Sequence, residues 1–286
     1  MSAPEVFADT RREFVFHERD FRRICTLIHE RAGIALSDSK RDMVYSRLVR
    51  RVRAVGVGSF AEYLDVLQRN DDDDEWQAFT NALTTNLTAF FRESHHFEHL
   101  RQFLRDRHEP RPTVWCAAAS TGEEPYSIAM IACEAFDSMR PPVSIIATDV
   151  DTNVLATASN GVYPIERIRQ LSNERRRRFF QRGTGAREGF CRVHPALRAL
   201  IEFRPLNLLD RAYELQPGFA AIFCRNVMIY FDKKTQYDVL ARMKPLLQPD
   251  GYLYAGHSES FFHAADLFHS CGRTIYRPMH PCGPGG

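Results

Sequence analysis

The sequence predicts an α/β protein: a doubly wound, mostly parallel sheet with a small antiparallel insertion, preceded by an all-α N-terminal domain. Three observations predict it. The first third of the chain shows only helical periodicity. From "PTVWCAA" onward, short apolar runs alternate with helical patterns. One stretch rich in glycine breaks that alternation.

The elements follow in order. "ERDFRRICTLIHERAGI" sets Phe21, Ile24, Leu27, Ile28 and Ala32 on one helical face, and Gly33 ends it. "SDSKRDMVYSRLVRRVRAVGV" opens on Ser and Asp caps and stops at Gly56. Ser59 caps a third helix, "FAEYLDVLQR". The acidic run from Asp71 to Glu75 supplies carboxylates for the N-terminus of a fourth, "EWQAFTNALT". Strands are then expected at "PTVWCAA", "VSIIATDVD", "ALIEFRPLN", "FAAIFCRNV", "GYLYAGH" and "RTIYRP". Helices fall between them, among them "EEPYSIAMIACEAF" and "KKTQYDVLARMKPLL". "FFQRGTGAREGFCRVHPALRALIEF", with Gly183, Gly185 and Gly189, reads as hairpins. The expected domains are residues 1–83 and 84–286, with the insertion at about 179–205. The final "PCGPGG" reads as a loose end.

Composition narrows the classes. The chain has 286 residues, enough for one large or two smaller cores, and a net charge of +2 that does not favour nucleic acid or membrane. It contains no run of about 18 apolar residues, and its first residues lack a secretory signal's apolar centre. Seven cysteines (Cys25, Cys116, Cys133, Cys191, Cys224, Cys271 and Cys282) form no CxxC pair. They read as reduced thiols of a cytoplasmic protein, and no metal site is expected.

Ligands of open α/β sheets bind beyond the C-terminal strand ends. Three such ends are polar here. "CAAASTGEEPYS" stands where a phosphate loop would, yet it carries one glycine, Gly122, followed by Glu123 and Glu124. It fails both glycine-rich nucleotide patterns, and a pyrophosphate would meet two like charges. S-adenosyl-L-methionine (AdoMet) fits better, since it has an adenosine and two cationic centres but no phosphate. The same glutamates also suit a helix first turn. Asp149, at the end of "VSIIATD", either accepts the ribose hydroxyls or caps a helix, for which Asp151 is better placed. The third end is "FCRN". Cys224 reads as inert core and His257 as a loop residue facing the ligand side.

Together "TTNLTAFFRE", "ASTGEEPYSIA", "ATDVD", "NLL" and "FCRNVMIYF" resemble the CheR family of chemotaxis receptor methyltransferases, in the family's order and from about Arg19 to Tyr276. The resemblance implies a helical N-terminal domain and a Rossmann-like AdoMet-dependent domain with an inserted β-subdomain. It implies methyl transfer from AdoMet to chemoreceptor glutamates, giving a glutamate 5-O-methyl ester and S-adenosyl-L-homocysteine, in chemosensory adaptation. It matches cofactor contacts to Asn86, Thr88, Arg92, Glu124, Asp149, Asn207, Leu208, Arg225 and Asn226. Tyr230 matches a tyrosine expected near the transferred methyl, and Arg92 is expected to hold one oxygen of the substrate carboxylate or the AdoMet carboxylate, the alternative being an ion pair with Glu93 or Glu98. Many relatives carry cysteine or glycine before the Ser-Thr pair, where this chain has alanine.

Two docking surfaces are expected. Arg47, Arg50 and Arg51 share a face of the second helix, with Arg53 displaced from it, and the resemblance makes them a dock for the acidic cytoplasmic helices of chemoreceptors. Gly183 and Gly185 lie in a loop that, in relatives, accompanies binding of a receptor C-terminal peptide. A monomer is expected, with no nucleic acid partner and no membrane insertion. Two rival readings stand beside this one. An amide or nucleic-acid N-methyltransferase would commonly carry a proline pair where "RNVMIYF" stands. An AdoMet-sensing adaptor would not need the full set of site residues.

Overall fold

The computed structural model describes residues 13–69, 73–107 and 110–279. Asp71, Asp72, Cys282 and the "PCGPGG" end lie outside them. The chain divides into two compact units, Met1–Thr84 and Thr85–Gly286.

The first unit is helical: α1 (Glu18–Ala32), α2 (Arg41–Val55), α3 (Phe60–Arg69) and α4 (Asp73–Leu83). α1 buries Phe21, Ile24, Leu27, Ile28 and Ala32, the expected stripe. Gly33 adopts φ 70° just past its end, the left-handed turn that closes a helix with a backbone hydrogen bond to His29. The Ser59 hydroxyl accepts the Glu62 N–H at 3.2 Å, as a cap of α3 should. Ser37, by contrast, caps nothing with its side chain; its hydroxyl lies 2.8 Å from that of Ser39, ahead of a 3-10 turn that leads into α2. The core joins these stripes to Val44, Leu48, Val52, Phe60, Tyr63, Leu64, Phe79 and Leu83.

The second unit begins with α5 (His95–Asp106), β1 (Thr113–Cys116), α6 (Glu123–Ala135), β2 (Ser144–Asp149) and α7 (Thr152–Asn160). β3 (Val162–Pro164), α8 (Asn173–Phe179), β4 (Phe180–Arg182), β5 (Phe190–Val193) and the short α9 (Pro195–Arg198) follow. β6 (Ile201–Pro205), β7 (Phe219–Cys224), α10 (Lys233–Met243), β8 (Leu247–Ala255), β9 (Phe268–Gly272) and β10 (Ile275–Pro278) complete it.

Seven strands form one sheet in the order β6-β2-β1-β7-β8-β10-β9. The first five run parallel; β10 is antiparallel to both of its neighbours. Register aligns Cys116 with Ala147 on one side and Phe223 on the other, so the C-terminal ends of β1, β2 and β7 share one edge. α6 is buried from Glu123 through Cys133, which is why its sequence is apolar almost all round.

The small sheet has the order β3-β5-β4 and is antiparallel. Its extent differs from the expected 179–205. β3 enters it from residue 162, and "IEFRP" leaves it as β6, paired in parallel with β2. The cause is packing of half-buried Ile201 and Phe203 against the main core, a signal that a glycine-bounded apolar run does not carry by itself. Among the described residues no helix is long and apolar enough to cross a membrane.

Candidate active site

β1 lies between β2 and β7, so the chain leaves it toward one side of the sheet and later returns on the other. This reversal opens a crevice beyond the ends of β1 and β7. The loop after β1 is pinned on both sides: Ala117 N–H donates to Phe223 O at 2.8 Å and Ala119 N–H to Thr148 O at 2.9 Å. Gly122 follows at φ 100°. A Cβ there would stand 2.7 Å from the Tyr163 hydroxyl and 2.8 Å from the Ala158 Cβ. The glycine therefore lets α7 and the small sheet close on the loop, and no phosphate is needed to explain it.

The two glutamates of α6 face different partners. Glu123 is fully buried; Thr121 Oγ1 donates to it at 2.6 Å, and Arg167 Nε lies 3.7 Å away. Glu124 receives Arg225 Nη1 at 2.6 Å and Cys116 Sγ at 3.3 Å. Burial pushes the Glu124 carboxyl up, and the Arg225 charge offsets only part of that. Arg225 is itself buried at the end of β7. It also reaches Glu93 Oε2 at 3.3 Å and donates to the Arg92 carbonyl. Burial alone would raise Glu93, but the Arg225 charge and hydrogen bonds from the His257 backbone, Asn226 and Arg225 outweigh it and hold this carboxyl below its usual value. Two acids thus share one buried guanidinium. Such a floor favours a cation and disfavours a pyrophosphate.

Asp149 closes β2. Its carboxylate accepts Ser120 N–H at 2.8 Å and Asp151 N–H at 2.9 Å, and burial pushes it up to about 6 against those two donors. The capping role falls to Asp151, which accepts from Asn153 and Val154 N–H. Asp149 thus caps no helix, and each of its carboxylate oxygens accepts one backbone N–H. Leu206 N–H donates to Asp149 O at 3.0 Å, and this brings Asn207 and Leu208 to the same strand end. Asn207 Oδ1 accepts the Leu209 N–H, and the Leu208 carbonyl accepts Tyr213 and Arg242.

The segment 86–92 lies across these loops as a strap. Asn86 Nδ2 donates to Asp151 Oδ2 at 2.9 Å, and its carbonyl accepts the Ser120 hydroxyl at 3.1 Å. The Thr88 carbonyl accepts from Arg167 at 3.2 Å. Arg92 is half-buried. Its Nη1 donates to Leu87 O at 3.1 Å, while its Nε stays 4.0 Å from Glu93, too long for a tight ion pair. Phe91 and Glu93, on either side, adopt φ 54° and 57°, and Asn226 adopts 58°. Left-handed backbone at such residues costs about 1–3 kcal/mol each and marks a conformation that its surroundings enforce.

Two further groups set the far wall. Buried Glu259 accepts the N–H of Asn226 at 3.0 Å and that of Gly256, which clips the end of β8 to the turn after β7. Tyr230 ends a 3-10 turn, Met228–Tyr230. Buried Gln236 of α10 holds that turn by donating to Met228 O at 2.8 Å and Phe231 O at 3.0 Å. The Tyr230 ring is half-buried, and its hydroxyl has no hydrogen-bond partner among the described residues. Cys224 is fully buried and burial raises its thiol well above the usual value, so it is no nucleophile.

Sequence reasoning picked out most of these residues but passed over Glu93, Asp151 as a partner of Asn86, and Glu259. Glu93 was visible only as a neighbour of Arg92. Glu259 sits in a loop, "GHSES", with no periodicity to assign it a side.

The expected docking arginines differ in their partners. Arg47 donates to the Thr84 carbonyl at 2.6 Å, Arg51 pairs with Glu75 and Arg53 with Glu13. Arg50 is exposed and unpaired among the described residues. Gly183 and Gly185 form the β4–β5 connection; a Cβ on Gly183 would collide with Arg187 O at 2.1 Å.

The family comparisons agree with this geometry. A model described as CheR methyltransferase, SAM binding domain, matches residues 86–277, and one described as CheR methyltransferase, all-alpha domain, matches residues 19–84. The chain is 54% identical over 257 residues to the chemotaxis protein methyltransferase of Salmonella typhimurium, spanning 90% of this chain and 88% of that one. It is 52% identical over 269 residues to chemotaxis protein methyltransferase 2 of Pseudomonas aeruginosa, spanning 93% and 95%. The Escherichia coli chemotaxis protein methyltransferase is 52% identical over 256 residues, spanning 90% and 89%. Both parts of the chain, the helical unit and the crevice-bearing sheet, match in order, and the chain belongs to the CheR methyltransferase family.

Proposed function

We propose that this chain methylates glutamate side chains of chemoreceptors with AdoMet, giving glutamate 5-O-methyl esters and S-adenosyl-L-homocysteine, and so serves chemosensory adaptation. The observation that supports it best is the pairing of Glu93 and Glu124 around one buried arginine, next to Arg92. When bound, AdoMet supplies an electrophilic methyl whose thioether leaving group needs no proton.

The residues then have distinct tasks. Asp149 accepts ribose hydroxyls, and the Glu93–Glu124–Arg225 cluster holds the cationic end. Asn86, Thr88, Asn207, Leu208 and Asn226 shape the walls. The incoming glutamate has an ordinary pKa of about 4.3 and arrives as an anion, so no general base is required. Arg92 grips one carboxylate oxygen and the Tyr230 hydroxyl orients the group, leaving the other oxygen to attack. The work is alignment and desolvation rather than proton transfer.

Substrate recognition follows the same reading. Arg50 on α2 meets acidic cytoplasmic helices of the receptor. The β4 edge, next to Gly183 and Gly185, accepts a receptor C-terminal peptide as an added strand; calorimetry with such peptides that shows no heat would remove this element alone. The chain acts as a cytoplasmic monomer. The reading is tested by incubating enzyme and AdoMet with receptor-containing membranes and mapping receptor peptides by mass spectrometry. A single added methyl on glutamates is expected. Methyl groups on lysine, arginine or glutamine instead, or on nothing despite measured AdoMet binding, would overturn it.

A further inference from the structure

The strap that presents Arg92 is gripped from one side by the segment that joins the small sheet to α8. Arg167 Nη1 donates to Thr88 O at 3.2 Å, and Gln170 Nε2 donates to Phe90 O at 3.1 Å. The Arg175 guanidinium lies 4.0 Å from the Phe91 ring centroid. It is fixed there by two hydrogen bonds to Glu134 of α6, at 2.6 and 2.8 Å. The Phe90 ring is buried edge-on against Tyr163 of β3 at 5.2 Å and Phe180 of β4 at 5.4 Å. Four successive strap residues, Thr88 to Phe91, include three that the insertion holds by carbonyl or ring. The next residue is Arg92.

This grip coincides with backbone in an unfavoured conformation. Phe91, at φ 54°, is a bulky aromatic in the left-handed region, and Glu93 mirrors it on the other side of Arg92. The Phe91 amide donates to the Ser127 hydroxyl at 3.0 Å. A conformation of this kind persists where neighbours over-determine it. The planar guanidinium suits that task, because it stacks on the ring while its edge keeps both bonds to a carboxylate.

We infer that the insertion clamps the strap, and that Arg175, with Gln170 and Arg167, positions Arg92 for methyl transfer. This rests on the role proposed for Arg92 but assigns the insertion a duty separate from any receptor peptide. Arg175 touches no reacting atom and is a positioning residue.

Two readouts on the full chain test the clamp. Arg175→Ala is expected to lower kcat about 10- to 100-fold while the KM for receptor changes by less than about threefold, since misplacing an aligned group costs rate more than binding. Arg175→Lys, which keeps charge and part of the stacking, is expected to recover part of the loss. Gln170→Ala, which removes one half-buried hydrogen bond, is expected to lower kcat by a smaller factor with little change in melting temperature. Arg177→Ala, exposed on the same helix and unpaired among the described residues, is expected to match wild type. Independently of activity, amide exchange across 86–92 is expected to speed up in Arg175→Ala and not in Arg177→Ala. Unchanged exchange there overturns the clamp, whether or not glutamate turns out to be the methyl acceptor. So does a kcat loss in Arg175→Ala that Gln170→Ala does not share and that only tracks unfolded protein. Wild-type enzyme that transfers no methyl to glutamate, with the exchange result intact, would instead retire the function and keep the clamp.

Discussion

At Arg92 the immediate neighbours decide the role. A structural ion pair with Glu93 would have taken it out of service, but that contact is 4.0 Å long while Glu93 leans on Arg225. Arg92→Ala is therefore expected to lower kcat about 100-fold, and Tyr230→Phe about 10-fold, in single-turnover assays with receptor membranes. Wild-type turnover in Arg92→Ala would remove it from the catalytic set. Asp149 offers a second test. Burial raises its carboxyl from the usual 3.8 to about 6, which costs the folded state about 3 kcal/mol at neutral pH. The sign is that of a raised folded pKa. The cost is absent below about pH 4, grows as pH rises, and is complete above about 6, so this group lowers stability across that window. A protein keeps such a burden where the ionised form is used. AdoMet affinity should accordingly weaken as pH falls through 6. Asp149→Asn should flatten that dependence and bind AdoMet more weakly at pH 7.5. A steep pH dependence that survives in Asp149→Asn would assign it to another group.

At the scale of elements, sequence periodicity and side-chain use part company on α2. Spacing alone puts Arg47, Arg50 and Arg51 on one face, and a face reads as one surface. In the fold Arg47 satisfies carbonyls at the end of α4, which removes it from free display. Arg51 joins a network with Glu75 and the buried Tyr63, whose hydroxyl donates to Glu75 at 2.7 Å. Charge reversal should separate these roles. Arg51→Glu sets two carboxylates against each other and is expected to cost about 2–4 kcal/mol of stability, read as a lower melting temperature. Arg50→Glu is expected to leave melting unchanged and to raise the KM for receptor several-fold at low salt, with AdoMet affinity intact. An unchanged KM would take α2 out of receptor docking. The turn that carries Tyr230 shows the converse case. Its position comes from Gln236, a buried polar residue on the next helix, and no local pattern announces that.

At the scale of the whole molecule, what the sequence made legible was whatever depends on burial with a period. The stripe of α1, four of the five parallel strands and the position of Asp149 at a strand end all follow from apolar spacing and the alternation of strand with helix. The small sheet was legible as a break in that alternation but not in extent, because β3 is three residues long and β6 looks no different from a hairpin arm. The site was legible where motifs lie at strand ends, as in "FCRN" and the loop before α6. It was not legible where long-range pairing sets charge: Arg225 reaches Glu124 across 101 positions of sequence, and Asn226 meets Glu259 across 33. Those pairings also change the reason for the ligand. The double glutamate is not a bare negative pair; one member is turned to Thr121 and Arg167, and the other shares a guanidinium with Glu93. An acid pair around one guanidinium still suits a cationic, phosphate-free nucleotide better than a pyrophosphate. The most direct test of the central claim is transfer of tritiated methyl from AdoMet to receptor-containing membranes, followed by alkali and capture of volatile methanol. Label released by base is the predicted result, since only a carboxyl ester gives up its methyl in this way. Label that stays on the protein through alkali would mean methyl transfer to nitrogen and would contradict the account.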